Sequence, residues 1–100
     1  MKNLLKQAQQ MQAKLSTLQA ELATREVEGV AGGGMVKVVV NGKQELLKVT
    51  INKECVDPDD VEMLEELVKT AMNQALKSSQ DMVSAAMSKI TGGVNIPGLF

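Results

Sequence analysis

The lysines are the residues whose type and placement suggest chemistry, six of them above all: Lys2, Lys6, Lys14, Lys69, Lys77 and Lys89. Lys2 and Lys6 stand four apart, on one side of a helical repeat, and Lys14 flanks the same seam. Lys69, Lys77 and Lys89 decorate a second helical pattern. An ammonium on a flexible stem is a compact point cation, suited to a phosphate oxygen rather than to a base edge. A solvated, solubilising helix face accounts for the same residues without any ligand.

Other chemistry is poorly provided for. The 100 residues include no His, Trp or Tyr, one Cys, and one Phe, the last residue. Nothing therefore titrates near neutrality without strong perturbation, and a zinc site lacks its ligands. The acids Asp59, Glu62 and Glu66 share a helical stripe with Glu65 beside it, but no calcium-loop spacing is present. They read as a solvated face that complements a helix start. Gly32-Gly33-Gly34 lacks the Gly-Lys-Ser/Thr ending of a phosphate loop and precedes a strand. Those glycines, and Gly29, answer backbone or packing needs. Cys55 is a structural, partly buried thiol, and Met63, Met72, Met82 and Met87 are core filler. No catalytic residue, cofactor, metal or small-molecule substrate is expected, so the chain is not read as an enzyme. No apolar run is long enough for a bilayer, and the first residues turn polar too soon for a signal peptide. A cytoplasmic protein without a membrane partner is the expectation.

Charge is segregated although the net value is −1. Residues 1–20 hold three lysines and no acid, whereas 54–66 hold seven acids and no base. Local fields, not the average, should govern partners.

The elements that position these groups follow from periodicity. Leu4, Ala8, Met11, Leu15, Leu18 and Leu22 repeat at 4-3-4-3-4, the seam of a helix of ~23 residues and about 35 Å. Val27–Ala31 reads as a short strand, and two β-rich runs flank Asn41-Gly42. A two-residue type I′ turn there pairs Val40 with Lys43, Val38 with Glu45 and Val36 with Leu47. One face, with Val36, Val38, Val40, Leu47, Val49 and Ile51, should be core. The other, with Met35, Lys37, Val39, Gln44, Leu46, Lys48 and Thr50, is mixed and hints at a partner. Asp57 should cap a helix with Pro58 in its first turn, running to Thr91 with Ser78-Ser79 as its weak point. Gly92-Gly93 ends it, leaving residues 92–100 as a Gly/Pro-containing tail on a single α+β domain, 1–91. The apolar Leu99 and Phe100 of that tail are available to dock.

Strands of six residues span only ~20 Å, so both helices overhang the sheet. Sheltering their seams calls for a second copy, and a homodimer is expected. Two-fold symmetry then turns the helix lysines into spaced basic prongs suited to duplex phosphates. One Arg and one aromatic residue leave base reading and base stacking unsupported.

The run Gly32-Gly33-Gly34-Met35-Val36-Lys37-Val38, closed by Asn41-Gly42, resembles the signature of the YbaB/EbfC family of bacterial nucleoid-associated proteins. The Gln-rich opening with Met11-Gln12 and the ending Gly92-Gly93-Val94-Asn95-Ile96-Pro97-Gly98-Leu99-Phe100 are similar to that family too. The resemblance covers essentially the whole chain. It implies a tweezer-like α+β homodimer, cytoplasmic and nucleoid-associated, that binds double-stranded DNA and alters its conformation. Effects on gene expression and DNA protection are part of the same implication. No family motif fixes contact residues, so the six lysines rest on charge and geometry. The competing reading is a dimeric helical adaptor that clasps another protein with its seams.

Overall fold

A computed structural model of the chain describes residues 2–91, with the backbone alone for Lys2, Ile90 and Thr91. Helix α1 (Lys2–Thr24) leads into strand β1 (Glu26–Ala31). Strands β2 (Val36–Asn41) and β3 (Leu46–Ile51) follow, and helix α2 (Val61–Thr91) closes the order. The sheet is antiparallel with the order β1-β2-β3, the expected α+β arrangement. Molecular extents of 68 × 23 × 16 Å reflect two helices that outrun it.

Gly32, Gly33 and Gly34 join β1 to β2 with φ of 62°, 68° and 95°. Three successive left-handed residues are accessible only to glycine at little cost. Val36, Val38 and Val40 of β2 are buried beneath α2, against Ala71 and Ala75. Helix and strand meet closely because β1 offers Gly29. A Cβ there would strike the Ala71 carbonyl and lie 2.6 Å from the Ala75 nitrogen.

The hairpin departs from the expected register. Val36 pairs with Ile51, Val38 with Val49 and Val40 with Leu46, and a bulge leaves Leu47 as the extra residue of β3. The turn is longer than two residues because the Asn41 side chain organises it. Its Oδ1 accepts from the Lys43 nitrogen at 2.9 Å and from the Glu45 nitrogen at 3.0 Å. The positive φ falls at Gln44, 62°, and not at Asn41 or Gly42. Gly42 serves packing: a Cβ there would lie 2.6 Å from both the Cβ and the carbonyl oxygen of Leu22 in α1.

The expected core face is also only half correct. Val36, Val38 and Val40 are buried, but Leu47, Val49 and Ile51 are 50%, 44% and 40% exposed. The reason is lateral: α2 lies across β1 and β2 and leaves β3 beyond its edge.

The start of α2 shifts as well. Asp57-Pro58-Asp59-Asp60 forms a turn, with the Asp60 nitrogen donating to the Asp57 carbonyl at 3.0 Å. Asp60, not Asp57, caps the helix, its Oδ1 accepting from the Met63 nitrogen at 3.2 Å. The helix then runs unbroken through Ser78-Ser79. Ser79 is fully buried and marks an anchor rather than a weak point. Cys55, also buried, donates its Sγ–H to the Asn52 carbonyl at 3.1 Å. The tail, 92–100, lies outside the described residues.

Candidate nucleic-acid interface

The candidate site is a two-helix arm built at the hairpin end of the sheet. Its root is a small polar hub around Asn41, which is 3% exposed. Asn41 Nδ2 donates to the Ala23 carbonyl in α1 at 3.2 Å and to Glu45 Oε1 at 2.9 Å. The Asn41 carbonyl accepts from Ser79 Oγ in α2 at 2.8 Å. The Gly42 nitrogen completes the joint by donating to the Leu22 carbonyl at 2.9 Å. Both helices are thereby tied to one turn, and they leave it side by side, antiparallel.

From the root outward the two helices flank a groove of about 910 Å³. Its walls bring Lys14 of α1 opposite Lys89 of α2, although 75 positions separate them in the chain. Both are exposed. Arg25, at the joint between α1 and β1, lines the same groove and was not among the sequence candidates. Its signal was position alone: the sole arginine, three residues after the last leucine of the seam.

The other lysines disperse. Lys6 stands exposed on the outer half of α1, and Lys77 exposed on α2 near the root. Lys2 opens α1, with its side chain outside the described residues. Lys69 does not join the arm. It sits where α2 crosses the sheet, beside Leu64, Val68 and Met72 on a separate apolar shelf. The structure thus brings Lys14 and Lys89 to one groove, leaves Lys6 and Lys77 exposed outside it, and sets Lys69 apart.

Electrostatically the arm and the opposite pole differ in sign. Helix α1 carries three lysines against Glu21, and α2 from 77 onward carries two against Asp81. The acid-rich stretch 54–66 lies at the other end, before and within the first turns of α2. Among the described residues no three His, Cys, Asp or Glu side chains converge to hold a metal ion. No helix among them is long and apolar enough to cross a membrane.

The apolar seam of α1 is sheltered only near the root. Leu22 is buried and Leu15 and Leu18 are half-buried, but Leu4 and Met11 are 71% and 38% exposed, and Leu5 beside the seam is 64% exposed. Among the described residues nothing shelters the seam along the outer half of the helix.

Comparison with known proteins places the fold and the sequence together. A crystal structure of an uncharacterised protein from Helicobacter pylori superposes with a TM-score of 0.81 over 89% of this chain and 94% of that one. At 24% identity the likeness is one of fold. A nucleoid-associated protein of Caldanaerobacter subterraneus subsp. tengcongensis is 57% identical over 98 residues, 98% of this chain and 88% of the relative. One from Desulforamulus reducens is 57% identical over 100 residues, all of this chain and 95% of the relative. The model of the YbaB/EbfC DNA-binding family matches residues 1–94. With that match over nearly its whole length, this chain belongs to the YbaB/EbfC family, whose members bind DNA and are not enzymes.

Proposed function

We propose that the chain acts as a homodimer that grips double-stranded DNA through phosphate contacts from its paired arms and alters the path of the duplex. The observation that carries this reading is the arm itself, a projecting helix pair whose exposed lysines outnumber its acids while the acids gather at the far pole. Such a field draws a polyanion to one end of the molecule and repels it from the other. Dimerisation is supported by β3, where Leu46, Leu47, Val49 and Ile51 are 40–50% exposed on a sheet edge that α2 does not cover. An apolar, unpaired edge strand of this kind favours a partner surface, and a second copy offers the same one. Two arms then stand at a fixed separation, and a duplex held at both must follow their geometry. With a single Arg in the chain, backbone and shape rather than base edges govern recognition. The same proposal includes a location on the nucleoid in the cytoplasm, with effects on gene expression and DNA protection, as the family resemblance implies.

Lys2→Glu combined with Lys6→Glu tests it. Fluorescence anisotropy on a labelled duplex should show weaker binding, with the mass of the protein dimer unchanged in solution. Unchanged affinity would remove α1 from the interface. The exposed seam residues Leu4 and Met11 favour the adaptor reading instead, in which a protein partner covers them. Pull-downs from nuclease-treated lysate separate the two, because an adaptor keeps its partner after nucleic acid is destroyed.

A further inference from the structure

We propose that Gln74 is a latch on the outer edge of β1, which keeps a second copy from joining the sheet there and confines assembly to β3. This rests on the dimer proposed above, in which β3 is the edge that a second copy covers.

The two edges of the sheet are not alike. Residues of an antiparallel strand turn their backbone groups alternately toward and away from the neighbouring strand. The Val30 nitrogen donates to Gln74 Oε1 of α2 at 2.6 Å, so the backbone groups of Val30 face outward from β1, and those of Glu28 and Glu26 with them. Past the end of β3 the Asn52 nitrogen donates to the Met35 carbonyl at 2.8 Å. By the same alternation Thr50 and Lys48 bond inward to β2, and Ile51 and Val49 turn outward. A side chain of α2 thus occupies the β1 edge, whereas β3 lies beyond that helix.

An open β1 edge would invite growth because its charges match those of β3. Side chains alternate across a strand, so Glu26 and Glu28 lie on the sheet face opposite to the buried Gly29 and Ala31. Lys48 lies on that same face of β3, in the cross-strand row of Glu28 and Val39. A second copy moved along the sheet by translation brings its β3 beside β1, with Lys48 near the two carboxylates. Such a contact is heterologous and does not close, so copies would add without limit. Two β1 strands brought together would instead oppose their carboxylates. The vulnerable pairing is therefore β1 with β3, and it needs the Val30 amide that Gln74 holds.

Gln74 is placed to do this without a share in the core. It is exposed, between Ala71 and Ala75, the two residues of α2 seated over Gly29 of β1. Loss of its side chain leaves the packing of α2 on β1 and β2 intact.

Sedimentation velocity over a concentration series tests the latch. Gln74→Ala should raise the weight-average mass several-fold above the parent's as concentration rises, at unchanged circular dichroism. Gln74→Glu, whose carboxylate accepts the same hydrogen bond, should keep the parent's mass. Gln74→Ala with Glu28→Lys sets like charges against Lys48 of an incoming copy and should return to the parent's mass, which a merely loosened fold would not do. A Gln74→Ala chain at the parent's mass, growth that survives Glu28→Lys, or equal growth in Gln74→Glu would overturn the latch. A parent at the mass of one chain would overturn the dimer alone, since growth of Gln74→Ala from that state would still uphold the latch.

Discussion

Ser79 Oγ donates to the main-chain carbonyl of Asn41 at 2.8 Å, across 38 positions of sequence and in full burial. That single contact fixes α2 to the hairpin at the point where the arm begins. The Asn41 side chain fixes α1 to the same hairpin through the Ala23 carbonyl. The two lysine-bearing helices consequently share one rigid root, and their relative position follows from a polar hub of only a few residues.

The two halves of the hub should differ in weight. Ser79→Ala removes one hydrogen bond to a carbonyl that still accepts from the Gln44 nitrogen, so about 1 kcal/mol should be lost. Asn41→Ala removes four side-chain hydrogen bonds at a buried site and should cost about 2–3 kcal/mol. Urea unfolding of both variants measures the difference. Equal losses would deny Asn41 its organising role.

Gly29 and Gly33 provide a contrast between lack of space and backbone strain. At Gly29 a methyl meets the Ala71 carbonyl, and Gly29→Ala should cost about 2–3 kcal/mol by forcing α2 off the sheet. At Gly33 nothing lies within 4 Å, and only the φ of 68° opposes a side chain. Gly33→Ala should therefore cost about 1 kcal/mol. Thermal unfolding should rank them in that order.

The cap of α2 is assigned to Asp60. Asp60→Ala should lower stability by about 1 kcal/mol. Asp57→Ala, which loses only the turn contact to the Asp59 nitrogen at 2.9 Å, should lower it by less. A larger loss at Asp57 in chemical denaturation would return the helix start to the earlier residue.

These cases also show what the sequence could reveal about the fold. The seam from Leu4 to Leu22 and the paired apolar positions of α2 are local repeats, and both helices end where the repeats end. The hairpin was less legible. Asn-Gly suggested a two-residue turn, but the Asn41 side chain captures the Lys43 and Glu45 amides and lengthens it. Gly42 answers to Leu22, twenty positions earlier, a constraint no local pattern carries. Exposure of β3 depends on where α2 crosses the sheet, which periodicity does not specify. For the candidate site, residue type identified the lysines, but only the packing of the helices decides that Lys14 and Lys89 line one groove and that Lys69 falls elsewhere.

The uncovered strand carries a prediction about assembly. Val49 is 44% exposed on the face that β2 buries, so Val49→Glu should leave the single chain folded while placing a charge on the apolar edge. Light scattering coupled to size exclusion should then show a dimer for the parent and a monomer for the variant. A variant that stays dimeric would move the contact away from β3.

The most direct measurement of the account is the salt dependence of duplex binding. The logarithm of the affinity should fall linearly with the logarithm of salt concentration, with a slope of about −0.9 for each phosphate neutralised. Lys14→Glu with Lys89→Glu should weaken binding and flatten that slope by roughly two contacts per chain. Lys69→Glu, off the arm, should leave the slope as it was. Binding that ignores salt, or a slope that moves with Lys69 and not with Lys14 and Lys89, would contradict the arm as the DNA-gripping element.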